Sequence, residues 1–207
     1  MARRSLTQRL VMLLAPTVLT AGGVLIPTSA LAAPATPHFE AAATTVVPHG
    51  DQAGHGTASA VRWVKSVDAS SGISFALPGK STPEKLESGG LHGRLYTVPT
   101  SDGFVYFLVV DLKGAGPAEL KGLVEGTRQG IAEEYGDGTI TSQKAGTVDS
   151  RPSLEARLTN TRDDLTASAT ETVTDDHVVQ VLTVGSQTDE RSVTTTHKHA
   201  VDSLRIP

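Results

Sequence analysis

From Val61 onward apolar and polar positions alternate along most of the chain, and the period turns helical in two places. Val61–Val67 and Ile73–Leu77 alternate and are separated by Ala69-Ser70-Ser71-Gly72, which predicts a hairpin. Leu91–Val98 and Phe104–Leu112 are the next two strands, broken by Pro99-Thr100-Ser101-Asp102-Gly103. Phe104–Val110 is nearly continuous in its apolarity, which predicts a central strand covered on both faces. Pro117 then opens a helix where a missing N–H costs nothing. Its stripe is Leu120, Leu123, Val124, Thr127, Ile131 and Tyr135, and Gly136 is suited to the left-handed cap. Four more strands follow: Ile140–Val148, Leu154–Asn160, Leu165–Thr174 and Val178–Val184, the last two joined tightly at Asp175-Asp176-His177. A second helix runs from about Thr188 to Ser203, with Val193, His197, Ala200, Val201 and Leu204 on one side.

Four strands, a helix, four strands and a helix, with short links between successive strands, predict antiparallel pairing. Two amphipathic helices need a sheet to cover. The expected class is therefore α+β, an antiparallel β-sheet covered by two main helices, in one domain spanning 61–207. Residues 33–60 are rich in Ala, Thr, Pro and Gly and read as a flexible tether. Ahead of them, Arg3, Arg4 and Arg9 precede an apolar stretch from Leu10 to Ile26, and Ala30-Leu31-Ala32 supplies a small-x-small exit. That order is a secretory signal peptide over residues 1–32, with cleavage expected after Ala32 and Ala33 as the alternative. The apolar run is barely long enough to span a bilayer and is interrupted by Pro16 and Gly22-Gly23, so an uncleaved anchor is the lesser reading. Arg3-Arg4-Ser5-Leu6 half-matches a twin-arginine signal, which leaves the export route open.

Gly72-Ile73-Ser74-Phe75-Ala76-Leu77-Pro78-Gly79 resembles the segment near the start of PsbP-like proteins of the LpqN type. The late features agree: Val178-Val179-Gln180-Val181-Leu182-Thr183-Val184, a helix, and Ser203-Leu204-Arg205-Ile206-Pro207 in the place of that family's closing strand. The resemblance covers about Val61 to Pro207 and implies an α/β/α sandwich around an antiparallel sheet. It also implies a protein-binding role without a shared catalytic site, since the family includes a photosystem subunit, a nuclear-import factor and actinobacterial cell-envelope proteins. One departure stands out. LpqN-type proteins usually carry a lipid-bearing cysteine after the signal, and this chain of 207 residues has no cysteine. It is therefore expected to be released or held loosely in the wall.

The absence of cysteine also excludes disulfides, thiolate metal sites and cysteine nucleophiles. Losing Arg3, Arg4 and Arg9 with the signal leaves fifteen cations against 22 acids, a net charge near −7. That sign disfavours nucleic acid and anionic membrane surfaces as partners. Gly79-Lys80-Ser81-Thr82 looks like the tail of a phosphate-binding loop, but Ser74 stands where its first glycine belongs and Pro83 follows. A polar turn is the reading.

His49, Asp51 and His55 match no standard metal spacing, so no metal and no cofactor are expected. His197 and His199, two apart on a helix, face different ways: the first is expected in the core, the second in solvent. No Gly-x-Ser-x-Gly elbow is present, Asp163-Asp164 and Asp175-Asp176 sit where turns favour Asp, and Glu133-Glu134 ends an exposed helical face.

No catalytic residue is expected, and an unrecognised hydrolase survives only because convergent sites need show no motif. Trp63, at the start of an edge strand with one face free, is the candidate partner contact, and packing in the core is the reading it competes with and the one expected first. The expected function is a secreted, non-enzymatic domain that binds a protein partner. It is expected to be a monomer, with no stable membrane insertion after cleavage. A small-ligand module for a glycan, lipid or metal is the alternative.

Overall fold

The computed structural model describes residues 61–207 apart from Gly89 and Asp102. The signal segment with Ala32 and Ala33, the tether over 33–60, and His49 and His55 lie outside the described residues. The elements run in chain order as β1 (Val64–Val67), β2 (Ser74–Leu77), β3 (Glu84–Ser88), β4 (Leu91–Pro99) and β5 (Gly103–Asp111). Next come α1 (Leu120–Tyr135), β6 (Thr139–Val148), β7 (Arg151–Asn160), β8 (Leu165–Val173) and β9 (His177–Ser186). A 3-10 turn, Gln187–Asp189, leads into α2 (Glu190–Asp202).

Seven strands form one sheet in the order β3-β4-β5-β9-β8-β7-β6, and every neighbouring pair is antiparallel. β1 and β2 pair separately as the predicted hairpin, Val64 opposite Leu77 and Val67 opposite Ser74. Because successive residues of a strand point to opposite faces, the sheet carries two cores. Tyr106, Leu108, Leu158, Ala169 and Leu182 point to the side where Leu123, Val124 and Ile131 of α1 pack. Val105, Phe107, Val179 and Val181 point to the other side, under Ala200 of α2, Leu204 just beyond it, and Phe75 and Leu77 of β2. β5 and β9 lie side by side in the interior, which is why the Phe104–Val110 run is apolar throughout.

The elements depart from the sequence pattern in four places. β3 has no counterpart among the expected strands, because Glu84–Ser88 holds one apolar residue, Leu86, and shows no alternation. An edge strand needs only one anchor, and Leu86 is buried in the α1-side core. α1 begins at Leu120 rather than Pro117. Pro117 stands in the preceding turn, where the Gly116 N–H donates to Glu119 Oε2 at 2.8 Å. β1 is confined to Val64–Val67. The closing segment is a single bridge, Arg205 to Ser74, rather than a strand. Gly136 caps α1 as expected, at φ 92° with its N–H on Ala132 O.

Candidate binding site

The β1–β2 hairpin is fastened to the end of α2 by main-chain and side-chain bonds. Ser74 N donates to Arg205 O at 3.0 Å, Arg205 N to Ser74 O at 2.9 Å, and Ala76 N to Ser203 Oγ at 2.8 Å. This fastening sets Trp63, one residue before β1, against α2. Its indole stacks on the His199 imidazole with ring centroids 3.8 Å apart and planes 17° from parallel. Trp63 is half-buried and also touches the core beneath α2, whereas His199 is exposed. The pair forms one wall of a groove of about 560 Å³, continued by Val61, Arg191, Thr195 and Thr196. The groove therefore sets the aromatic plane of Trp63 beside a guanidinium and hydroxyls of α2.

A polar network fixes the turn of the same hairpin from below. Asp68 is buried and accepts five hydrogen bonds: from Arg94 Nε and Nη2, Tyr96 OH, Ser71 N and Ser71 Oγ. Burial pushes the Asp68 carboxyl up, but the bonds from Arg94, Ser71 and Tyr96 outweigh it and hold its pKa at about 2. The same contact and its own burial push Tyr96 up to about 12. Arg94 Nη1 reaches on to Asp111 Oδ2 at 2.5 Å, and His177 Nε2 lies 3.4 Å from Asp111 Oδ1. The Asp68 carboxylate is thus fully engaged within the fold, and the Arg94 guanidinium is held at both ends. The chain Asp68–Arg94–Asp111–His177 is a strut that joins the hairpin turn to β4, β5 and β9. A polar cavity of about 210 Å³ opens beside it, lined by Ser71, Arg151, Asp175, Asp176 and His177.

A buried acid and a buried imidazole lie against opposite faces of the sheet, Glu171 of β8 on the α1 side and His197 of α2 on the other. Glu171 accepts from Thr127 Oγ1 at 3.0 Å and Gln180 Nε2 at 2.5 Å, and Gln180 Nε2 also reaches Thr127 Oγ1 at 2.7 Å. Burial raises its pKa to about 7 against the pull of those two bonds. On the other face His197 lies between Thr170 Oγ1, 2.8 Å from Nε2, and Thr183 Oγ1, 3.3 Å from Nδ1. Burial, with a smaller contribution from Arg157, lowers it to about 4.

His197 and His199 face opposite ways, as their spacing requires. Gly79-Lys80-Ser81-Thr82 lies in the link from β2 to β3, with Ser81 Oγ donating to Thr97 O at 3.0 Å; a strand follows, not the helix a phosphate loop needs. Asp163 and Asp164 make the β7–β8 turn, where Asp164 has φ 50° and accepts from Ser186 Oγ at 2.9 Å. Asp175 and Asp176 make the β8–β9 turn and reach the rim of the polar cavity. Among the described residues no group of three His, Asp or Glu side chains is placed to hold a metal ion. No helix among them is long and apolar enough to cross a membrane.

Sequence reasoning missed the Asp68–Arg94 strut and the Glu171 cluster. The first has no local signal, because its members come from four elements. The second had one: in Leu165, Ala167, Ala169, Glu171, Val173 the acid occupies the apolar phase of a strand.

No family model matches the chain, and no curated protein matches it. Among solved structures it is similar to cyanobacterial PsbP (CyanoP) from Synechocystis sp. PCC 6803. The TM-score is 0.52 at 10% identity, over 73% of this chain and 96% of that one. LpqN of Mycobacterium tuberculosis, described as involved in cell envelope biogenesis, gives TM-score 0.41 at 14% identity over 70% and 91%. PA94 from Pseudomonas aeruginosa, a protein of unknown function and putative regulator, gives 0.40 at 11% over 62% and 98%. The domain therefore has the PsbP-like fold, the α+β sandwich expected from the sequence.

Proposed function

We propose that this is a secreted, non-enzymatic binding domain that engages a protein partner, in or outside the cell envelope, through the surface around Trp63 and His199. The observation that carries the reading is the stacked Trp63–His199 pair at the wall of an open groove. Tryptophan anchored on one side and open on the other contributes strongly to protein interfaces, because it buries a large area with few rotors to freeze. The hairpin that presents it is held by the Ser74–Arg205 bridge and the Asp68 strut, so little order would be lost on binding. The arginine-led, apolar leader supports export, and the lack of cysteine leaves no lipid attachment point.

Immobilised protein carrying residues 33–207, exposed to envelope extract and culture fluid of the producing organism, tests this reading. One stoichiometric protein retained by the wild type and lost with Trp63→Ala is the expected result. Retention unchanged by Trp63→Ala, or no retained protein, overturns it. A small-ligand role is the second reading, favoured by the groove's volume of about 560 Å³, which falls in the range of small-molecule sites. A glycan or lipid that raises the melting temperature of wild type and not of Trp63→Ala would support it.

A further inference from the structure

The two edges of the sheet are built differently. β3, at one edge, has five residues, and Glu84, Lys85 and Glu87 put charge along it. Short length and charge are the usual guards of an edge against pairing with another chain. β6, at the other edge, has ten residues, Thr-Ile-Thr-Ser-Gln-Lys-Ala-Gly-Thr-Val, with a single charge at Lys144 and no proline. Lys144 stands opposite Glu155 of β7, so even that charge is matched within the sheet. Residues from Thr141 to Thr147 are exposed, and they point alternately to both faces. α1 packs chiefly on β7 and β8, and α2 on β8 and β9.

We propose that β6 is a homotypic docking edge, through which two copies of this chain pair antiparallel about a two-fold axis at Gln143. A two-fold perpendicular to a sheet returns each face to itself, so residues of like parity must pair across it. An axis at Lys144 would set two ammonium groups against each other. An axis at Gln143 sets the two Gln143 side chains together and Lys144 opposite Ser142 of the second copy, and this regular pairing ends on each side at the bulge before Ser142. On the Lys144 face the cross-strand row then reads Glu155, Lys144, Ser142, Arg157, the last two from the second copy, so no like charges stand directly opposite and the two Lys144 residues are diagonal neighbours, each beside its own Glu155. The β6 bulge, between Ile140 and Ser142, recurs in the second copy, so one bulge bounds the paired segment at each end. A second copy fits this edge better than an unrelated extended peptide, because the near-neutral strand is complementary to its own sequence. The joint is mostly main-chain bonding with small side chains, which makes a reversible dimer.

The chain lacks cysteine, so Gln143→Cys introduces its only thiol. Facing Cα atoms in an antiparallel pair are roughly 4.5–5.5 Å apart, within the span of a disulfide. Under mild oxidation the Gln143→Cys protein, as recovered after export, should form a covalent dimer, while Glu84→Cys on the guarded edge should not. Light scattering of the wild type over a dilution series should show mass rising toward twice the monomer. Gln143→Lys should return it to the monomer, with the melting temperature of the wild type at high dilution. A monomeric mass at every concentration, or cross-linking of Gln143→Cys no faster than Glu84→Cys, overturns the proposal. So does a dimer that survives Gln143→Lys, because it would be joined elsewhere.

Discussion

Glu171 and Gln180 stand directly opposite one another in β8 and β9, with the Gln180 amide donating to Glu171 Oε1 at 2.5 Å beneath α1. Glu171 Oε2 and Gln180 Oε1 are both buried acceptors with no donor. A proton on the carboxyl supplies a donor where two acceptors are left over, in keeping with a pKa raised to about 7. A carboxyl whose pKa is raised in the fold stabilises it below the unfolded value near 4.5 and progressively less as pH climbs to about 7. Glu171→Gln preserves the neutral shape and cannot ionise. It should stabilise the protein at pH 8 by on the order of 3 kcal/mol, read from urea unfolding. No gain at pH 8 would mean that the carboxylate is accommodated as it stands.

His197, on the other face of the same sheet, has the opposite dependence. Its pKa falls from 6.5 unfolded to about 4 folded, so its stabilisation is present above 6.5 and is lost as pH drops from 6.5 toward 4. Between about 4.5 and 6.5 the two groups therefore oppose each other, and wild-type stability should be nearly flat there. Removing either one exposes the other. Glu171→Gln should show stability rising with pH through this window, and His197→Gln should show it falling. Parallel pH profiles for the two variants would refute the pairing of signs.

Asp68 governs the acid limit. Its folded pKa of about 2 lies below the ordinary carboxylate value, so its contribution holds above pH 4 and disappears as pH falls from 4 to 2. Asp68→Asn leaves the largely buried Arg94 guanidinium without that carboxylate and should cost about 3 kcal/mol at pH 7. The variant should also lose the acid-dependent part of unfolding. A cost below about 1 kcal/mol would show that Asp111 alone satisfies Arg94.

Trp63→Ala separates binding from folding. The residue is half-buried and its stacking on His199 contributes about 1 kcal/mol, so unfolding should shift only modestly. Partner affinity should fall by at least about tenfold, as expected for an interface anchor. Trp63 is the chain's only tryptophan, so its fluorescence reports this site alone. His199→Ala should increase its quenching by acrylamide, because the imidazole covers one face of the indole.

The periodicity of apolar residues located eight of the nine strands and both helices of the described domain, because each buries a stripe or a face large enough to impose its period on the sequence. β3 escaped because it contributes only Leu86 to the core. The sequence also determined the separation of His197 from His199, since a helix turns 200° between residues two apart. Tertiary structure alone decided which strands became edges, because alternation records burial and not position in a sheet. It also decided that Trp63 meets His199, 136 positions away, and that Asp68 meets Arg94 and Tyr96. Contacts of that kind depend on how the hairpin crosses the sheet, and no local pattern encodes the crossing. Glu171 lies between these cases: its misplaced phase in β8 marks a buried acid, but only packing under α1 supplied Thr127 and Gln180 as its partners.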